Sequence, residues 1–324
     1  MKDSAFKNIL VNLRTAFSTN VRKRINDNTG RIAELERTIA ELDGQITRKY
    51  HYLNLMDYYA RHEEEASAFS KELDYLRQFG NYDNFPYPRE TQPLKVISGF
   101  DKEAKLPYVV HNGKKLYFSS DVSEEEAVWF YLKYIQNEKL LGIGDQEAPH
   151  QYQSSTIHVA DGDVVFDIGA AEGLFALDQI DRASRVIIVE NDSKWIAPLQ
   201  HTFAPYREKV TLVQKFISSM DTDNTMSLKK LLSDMDCNSA FVKLDIEGYE
   251  LPALFSAVEV LKAKKGMKIA AATYHRQHDA EEIKNLLEGM GYATEYSDGF
   301  MLFHLYDMPT PPYFRKGLIR AISL

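Results

Sequence analysis

The stretch Phe241-Val242-Lys243-Leu244-Asp245-Ile246-Glu247-Gly248-Tyr249-Glu250 crowds three carboxylates and a lysine around the end of an apolar run. In an extended segment the side-chain period of two puts Lys243, Asp245 and Glu247 on one side. Such a set can orient a substrate hydroxyl, bind a metal, hold a base, or form a purely structural ion-pair network. A second stretch, Val164 to Gly173, reads as a strand that enters the turn Asp167-Ile168-Gly169-Ala170-Ala171-Glu172-Gly173 and then a helix. Gly169 and Gly173 lack a Cβ, so backbone there can approach a ligand closely. The spacing is D-x-G-x-x-x-G, which departs from the G-x-G-x-x-G of a pyrophosphate binder. Acids at Asp167 and Glu172 repel a diphosphate and suit a cationic ligand. Glu190 ends the next strand, followed by Asn191. Its carboxylate can accept two hydrogen bonds from a ribose diol, about 1.5–3 kcal/mol each for a charged acceptor. A fourth stretch, Tyr274-His275-Arg276-Gln277-His278-Asp279, follows another strand and offers His275 as a general base, or serves only as a helix-capping loop.

Elements that would position these groups are legible from the pattern. Val164–Phe166, Arg185–Val189, Val210–Val213, Ala240–Leu244 and Lys268–Ala272 are short apolar runs, mostly separated by helical stretches. That alternation predicts a doubly wound α/β fold with a mainly parallel sheet covered on both faces. Ligands of such sheets bind beyond the carboxyl ends of the strands, where all four acidic stretches fall. Two closing strands are expected around Asp298-Gly299, over Tyr292–Tyr296 and Phe300–Leu305. Upstream, Leu106 to Phe118 predicts a hairpin turning at Asn112-Gly113. Ser123 and Glu126 predict a capping box at the start of a helix running through Ile135. Residues 4 to about 80 read as helix, with a break at Asp27-Asn28-Thr29-Gly30. Within it Ile32, Leu35, Ile39, Leu42 and Ile46 recur by three and four, a heptad seam that Lys49 interrupts before Leu53 and Met56. The expected organisation is a helical, coiled-coil-like arm over 1–80, a linker with hairpin and helix capping the substrate side over 81–150, the catalytic domain over 151–308, and a tail over 309–324.

Four pieces in this order, Phe166 to Gly173, Val189-Glu190, Lys243 to Glu250, and Tyr274-His275 with Gly291-Tyr292, resemble the FkbM family of methyltransferases over residues 150–305. The resemblance implies a seven-stranded Rossmann-like sheet, S-adenosylmethionine as cofactor, and O-methylation of sugars or secondary metabolites. It implies Asp167, Gly169 and Gly173 at the cofactor and Glu190 on its ribose; Ala170, Glu172 and Asn191 adjoin them. Two departures stand out: many members have asparagine at Glu172 and proline at Asn191. For the reaction, His275 or Asp245 is expected as base, with Lys243 and Glu247 orienting. His150, Tyr152 and Tyr274 are expected to close over the substrate. A divalent metal between Asp245 and His275 has no spacing signature, and no metal ligand is expected.

Composition narrows the alternatives. The 324 residues carry a net charge of −8, which disfavours broad nucleic-acid binding. Cys237 is alone, so no intrachain disulfide and no cysteine-based zinc site can form. No apolar run approaches the length of a membrane span, and a cytoplasmic protein is expected. The tail, with Arg315, Lys316 and Arg320 among Phe314, Leu318 and Ile319, either packs on the body or touches a membrane surface. The expected partners are a small-molecule or glycan substrate and, for the arm's seam, either a second copy of the chain or another helix of the same chain, unless the arm serves only as a helical cap on the enzyme. Two other classes compete: a nicotinamide-linked oxidoreductase, which would share the fold and Glu190, and a scaffold carrying a vestigial methyltransferase fold.

Overall fold

A 60-residue helix, α1 (Lys2–Arg61), leads into the body of the protein through α2 (Glu63–Ser67) and α3 (Ser70–Phe79). The computed structural model describes residues 2–80, 82–87, 94–142, 147–233, 239–303 and 310–324; within α1 the side chains of residues 2–27, 29, 30 and 33 lie outside that description. The break expected at Asp27-Asn28-Thr29-Gly30 is absent and α1 runs through it. Glycine in a helix interior costs only about 1 kcal/mol relative to alanine, and without proline nothing forces a stop. Cys237 lies outside the described residues.

A small antiparallel sheet follows, β1 (Ser98–Asp101), β2 (Leu106–His111) and β3 (Lys114–Tyr117). Asn112 and Gly113 both have positive φ, 48° and 80°, as the hairpin turn requires. The capping box forms as expected: the Ser123 side chain accepts from the Glu126 N–H and the Glu126 side chain accepts from the Ser123 N–H. Helix α4 (Glu124–Leu132) then widens into one π-helical turn over Lys133–Asn137 instead of continuing as α-helix.

The main layer is built in chain order from β4 (Val164–Ile168), α5 (Leu174–Gln179), β5 (Arg185–Val189), α6 (Ser193–Phe203), β6 (Val210–Val213), a two-stranded excursion β7 (Phe216–Ser218) and β8 (Thr225–Ser227), α7 (Leu228–Ser233), β9 (Ala240–Leu244), α8 (Glu250–Ser256), α9 (Val258–Ala263), β10 (Met267–Ala272), α10 (Asp279–Gly289) and β11 (Tyr292–Tyr296). Two short strands, β12 (Met301–Leu302) and β13 (Phe314–Arg315), pair with each other before β14 (Leu318–Ser323) returns to the sheet. The seven-stranded order is β11-β14-β10-β9-β4-β5-β6. Strands β6, β5, β4, β9 and β10 are parallel, and β14 is antiparallel to both neighbours. All residues of β4, β9 and β10 are buried, as a sheet sandwiched between helices demands.

The expected boundary at residue 308 needs correcting. The segment set apart as a tail supplies β14, which lies inside the sheet between β10 and β11. Two of its three cations are internal: Arg315 and Arg320 are buried, Arg320 pairing with Glu295 at 3.1 Å and Glu147 at 2.5 Å, while Lys316 is half-buried. The second closing strand is not in the main sheet. Of Phe300–Leu305, only Met301 and Leu302 are strand, and residues 304–309 lie outside the description. The end of the arm is also part of the body, since Leu55, Tyr59, Leu73 and Leu76 pack with Leu302 and Phe314. Among the described residues no helix is long and apolar enough to cross a membrane.

Candidate active site

Strand β4 has β5 on one side and β9 on the other, so the chain crosses the sheet in opposite directions from it. Such a switch point opens a crevice beyond the strand ends. Gly169 sits at that opening with φ 75°, and a Cβ there would lie 1.8 Å from the carbonyl oxygen of Asp245. The turns leaving β4 and β9 therefore touch, and only glycine permits it. Gly173 has a different role. Its added Cβ would meet Leu199 at 2.7 Å and Phe203 at 2.9 Å, so its bareness serves the packing of α6 and not a ligand.

Two cavities share Gly169, Ala171, Asp245 and Glu247 as a common wall. The larger, about 450 Å³, opens over β5 and is lined by Glu190, Asn191, Trp195 and Phe216 among others. Glu190 is held there by backbone: one carboxylate oxygen accepts from the Ala171 N–H at 2.8 Å, the other from the Asp192 N–H at 2.8 Å. Each oxygen keeps acceptor capacity for a ligand. The carboxylate is thus fixed in orientation before anything binds.

Asp167 does not reach either cavity. It is fully buried beneath the turn, 2.9 Å from the Lys243 ammonium, and its second oxygen accepts from the Ala176 N–H at 3.1 Å. Lys243 also donates to the Gly169 carbonyl at 2.6 Å. Burial works against the Lys243 charge, but Asp167 and Asp245 outweigh it and raise its pKa. Direct contact of Asp167 with a ligand is therefore corrected to support: the pair braces the Gly169 turn from below. Ala176 lies in the first turn of α5, where a dinucleotide fold would seat its pyrophosphate. Here that N–H already faces an internal carboxylate. Glu172, on the wall of the smaller cavity, adds a second acid at the same helix end. Burial pushes its pKa up to about 7, with Asp167 adding to the effect and the backbone N–H of Glu172, then Lys243, opposing it.

The smaller cavity, about 200 Å³, gathers Ala170, Glu172, Lys243, Asp245, Glu247, His150, Tyr152 and Tyr274. Asp245 is its hub. It accepts from Tyr152 at 2.6 Å, from Tyr274 at 3.2 Å and from His150 at 3.1 Å, and lies 3.5 Å from His275. Burial opposes ionisation of Asp245, yet the hydrogen bond from His150 and the charge of His275 hold its pKa well below the usual carboxylate range. His150 bridges Asp245 and Glu138, the latter at 3.2 Å, and its pKa is raised by these carboxylates against the effect of burial.

His275 departs from the role expected of a base. Its Nδ1 faces Glu250 at 3.0 Å, and its Nε2 faces Glu247 at 3.3 Å and Asp245 at 3.5 Å. Burial disfavours its charge, but hydrogen bonds to Glu247 and Glu250 and the nearby acids raise its pKa to about 10. At neutral pH it carries its proton already and cannot accept another. Arg315 fixes the loop by donating to the carbonyls of Tyr274 and His275, each at 2.9 Å. Asp245, Glu250 and His275 are also close enough to hold a metal ion, with one ligand atom from each lying within 4.8 Å of the others. Glu247 leaves the strand geometry assumed for it. It has φ 58° beyond the end of β9, and its side chain is largely exposed at the lip shared by both cavities. A non-glycine residue in that region is uncommon and is held by its surroundings.

The structure thus brings His150, Tyr152, Tyr274, Asp245, Glu247, Lys243 and Glu172 to one cavity, and Glu190 and Asn191 to its neighbour. Asp167 and Gly173 lie behind the walls. Sequence reading missed Glu138, Tyr134, Phe216, Trp195 and Arg315, which carry no motif of their own. Glu250 stood inside the quoted stretch, and its position three residues after Glu247 could have marked it.

No family model matches the chain, and no curated relative does. Solved structures give distant likenesses. A precorrin-6Y C5,15-methyltransferase from Geobacter metallireducens GS-15 aligns at 18% identity over 52% of this chain and 85% of that one, with a TM-score of 0.37. Trm5b from Pyrococcus abyssi aligns at 14% identity over 71% of this chain and 63% of that one, with a TM-score of 0.39. An rRNA methylase from Streptococcus thermophilus aligns at 12% identity over 51% and 89%, with a TM-score of 0.32. Likeness at this level says nothing about activity, so the functional reading rests on the residues of the site.

Proposed function

We propose that the chain is an S-adenosylmethionine-dependent methyltransferase that methylates a hydroxyl of a sugar, a glycan or a secondary metabolite, in keeping with its resemblance to the FkbM family. The observation that carries this reading is the Glu190 carboxylate, locked by two backbone N–H groups on the wall of a cavity of about 450 Å³. It is an acceptor built for a diol. Glu190 and Asn191 would hold the ribose, with Trp195 and Phe216 lining the same nucleoside end. Asp245 and Glu247 at the shared wall, and Glu172 beyond it, provide negative charge for the sulfonium and ammonium end. The cofactor supplies an activated methyl group. The chain's task is therefore mainly alignment, worth at most roughly 7–11 kcal/mol. Asp245 would accept a hydrogen bond from the substrate hydroxyl and point its lone pair at the methyl. Its low proton affinity makes it an orienting acceptor before transfer, and it would take the hydroxyl proton as the oxygen gains the methyl, because a protonated ether is far more acidic than this carboxyl; Tyr152, Tyr274 and His150 hold it in place. Two internal acids at the start of α5 disfavour a nicotinamide dinucleotide, whose diphosphate would need those N–H groups.

Calorimetric titration of the intact chain with S-adenosylhomocysteine and with NAD tests this. Binding of the first and not the second is expected; tighter NAD binding would overturn the reading. Glu190→Gln is expected to weaken the nucleoside by about 10–100-fold, because whichever way the amide turns its NH2 meets a backbone donor.

Glu172 gives a pH dependence. A cationic ligand favours its ionised form, so donor binding at neutral pH expels a proton. Affinity for S-adenosylmethionine is expected to rise with pH up to about 7 and level off above it. The stability of the free protein is expected to follow the opposite trend. The folded pKa of Glu172 lies above its ordinary 4.5, so its stabilising share is complete below 4.5 and lost as pH rises through about 7. Glu172→Gln should flatten both profiles. An unchanged affinity profile in that variant would remove Glu172 from the cofactor site.

A further inference from the structure

Beyond the site, the arm carries an apolar stripe that no described residue covers. Ile32, Leu35, Ile39, Leu42, Ile46 and Leu53 are each more than half exposed on α1. Two residues after Leu53, and so on the far side of the helix, Leu55 docks on the body, in line with His51 before it and Tyr59 after it. The stripe therefore points away from the body. A helix of this length, about 90 Å at 1.5 Å per residue, gains little stability alone when its apolar side faces water. Contiguous exposed apolar surface of this kind marks an interaction site.

We propose that the stripe is the seam of a parallel, in-register, two-stranded coiled coil with a second copy of this chain. In heptad terms Ile32, Ile39 and Ile46 take position a, and Leu35 and Leu42 take position d. Isoleucine at a with leucine at d favours a parallel dimer. Charge complementarity selects the same arrangement. Arg31 falls at position g and Glu36 at the following e, so a parallel pairing sets Arg31 of each chain against Glu36 of the other. Thr38 would face Asp43, and no like charges meet. An antiparallel pairing would instead set Glu36 against Asp43. The seam ends for a structural reason: Lys49, the next d residue, is turned to the body and donates to the Gly80 carbonyl at 2.8 Å. Both cavities are lined by residues outside α1, so the pairing leaves each chain's site as it is.

Sedimentation of the full-length chain tests the assembly. A species of twice 37.2 kDa is expected at micromolar concentration. Ile39→Asp with Leu42→Asp should return it to one chain mass without changing the urea unfolding midpoint of the body, which serves as the control for a folded body. Arg31→Glu should weaken the dimer, and adding Glu36→Arg should restore it. Leu35→Cys in a Cys237→Ser background should cross-link rapidly on mild oxidation, because d residues of parallel chains lie side by side. A monomeric native chain, a higher oligomer, or a dimer in which Leu35→Cys does not cross-link would overturn the proposal. None of these outcomes depends on whether the site binds a methyl donor.

Discussion

Asp245→Asn is expected to lower the methyl-transfer rate by at least about a hundredfold while leaving nucleoside affinity within a few-fold of native. Asp245 is the group that both cavities share, and four side chains aim at it. Asparagine keeps one acceptor oxygen and replaces the other with a donor. Tyr152, Tyr274 and His150 would then compete for a single oxygen, and the hydroxyl of the substrate would lose its guide. The charge matters as well. His150 owes its raised pKa to Asp245 and Glu138, and losing one of them lets burial pull the ring back toward neutrality. Single-turnover rates with saturating donor, set beside S-adenosylhomocysteine titrations, separate the two effects. A normal rate in Asp245→Asn would dismiss it as the orienting group. A loss of nucleoside binding in parallel with rate would mean that the substitution disturbs the wall and not the chemistry.

The second large effect concerns stability. Lys243→Met is expected to destabilise the protein by about 3–5 kcal/mol, the usual cost of leaving one member of a buried ion pair without its partner. Methionine preserves much of the lysine stem's volume. What it removes is the ammonium lying 2.9 Å from Asp167 and donating to Gly169. Asp167 is fully buried, so its charge would have no compensating cation and no water. Adding Asp167→Asn should recover much of the loss, since an amide oxygen still accepts from the Ala176 N–H and no charge remains. Urea unfolding of the two single variants and the double variant measures the coupling. If Lys243→Met unfolds like the native chain, the buried pair is not what braces the turn.

Local chemistry was open to reading from the residues alone. Asn112-Gly113 declared its hairpin, and Ser123 with Glu126 declared its cap, because backbone sterics and short-range hydrogen bonds decide such features within a few residues. The repeat of short apolar strands and helices implied a doubly wound sheet, and acids at the strand ends implied a polar crevice. Charge states and partners were a different matter, since they depend on neighbours brought from afar. Lys243 and Asp167 stood in separate motifs, and only the parallel register of β4 and β9 sets them side by side. His275 looked like a base until Glu247, Glu250 and Asp245 closed around it and fixed its proton. Residues 309–324 read as a tail that packs on the body or touches a membrane surface; the fold goes further and makes β14 a strand inside the sheet, where Glu295 and Glu147 from distant segments neutralise Arg320. A sequence states which groups are present and how the backbone near them bends. Their ionisation and their contacts are set by burial and by long-range pairing, which exist only once the chain has folded.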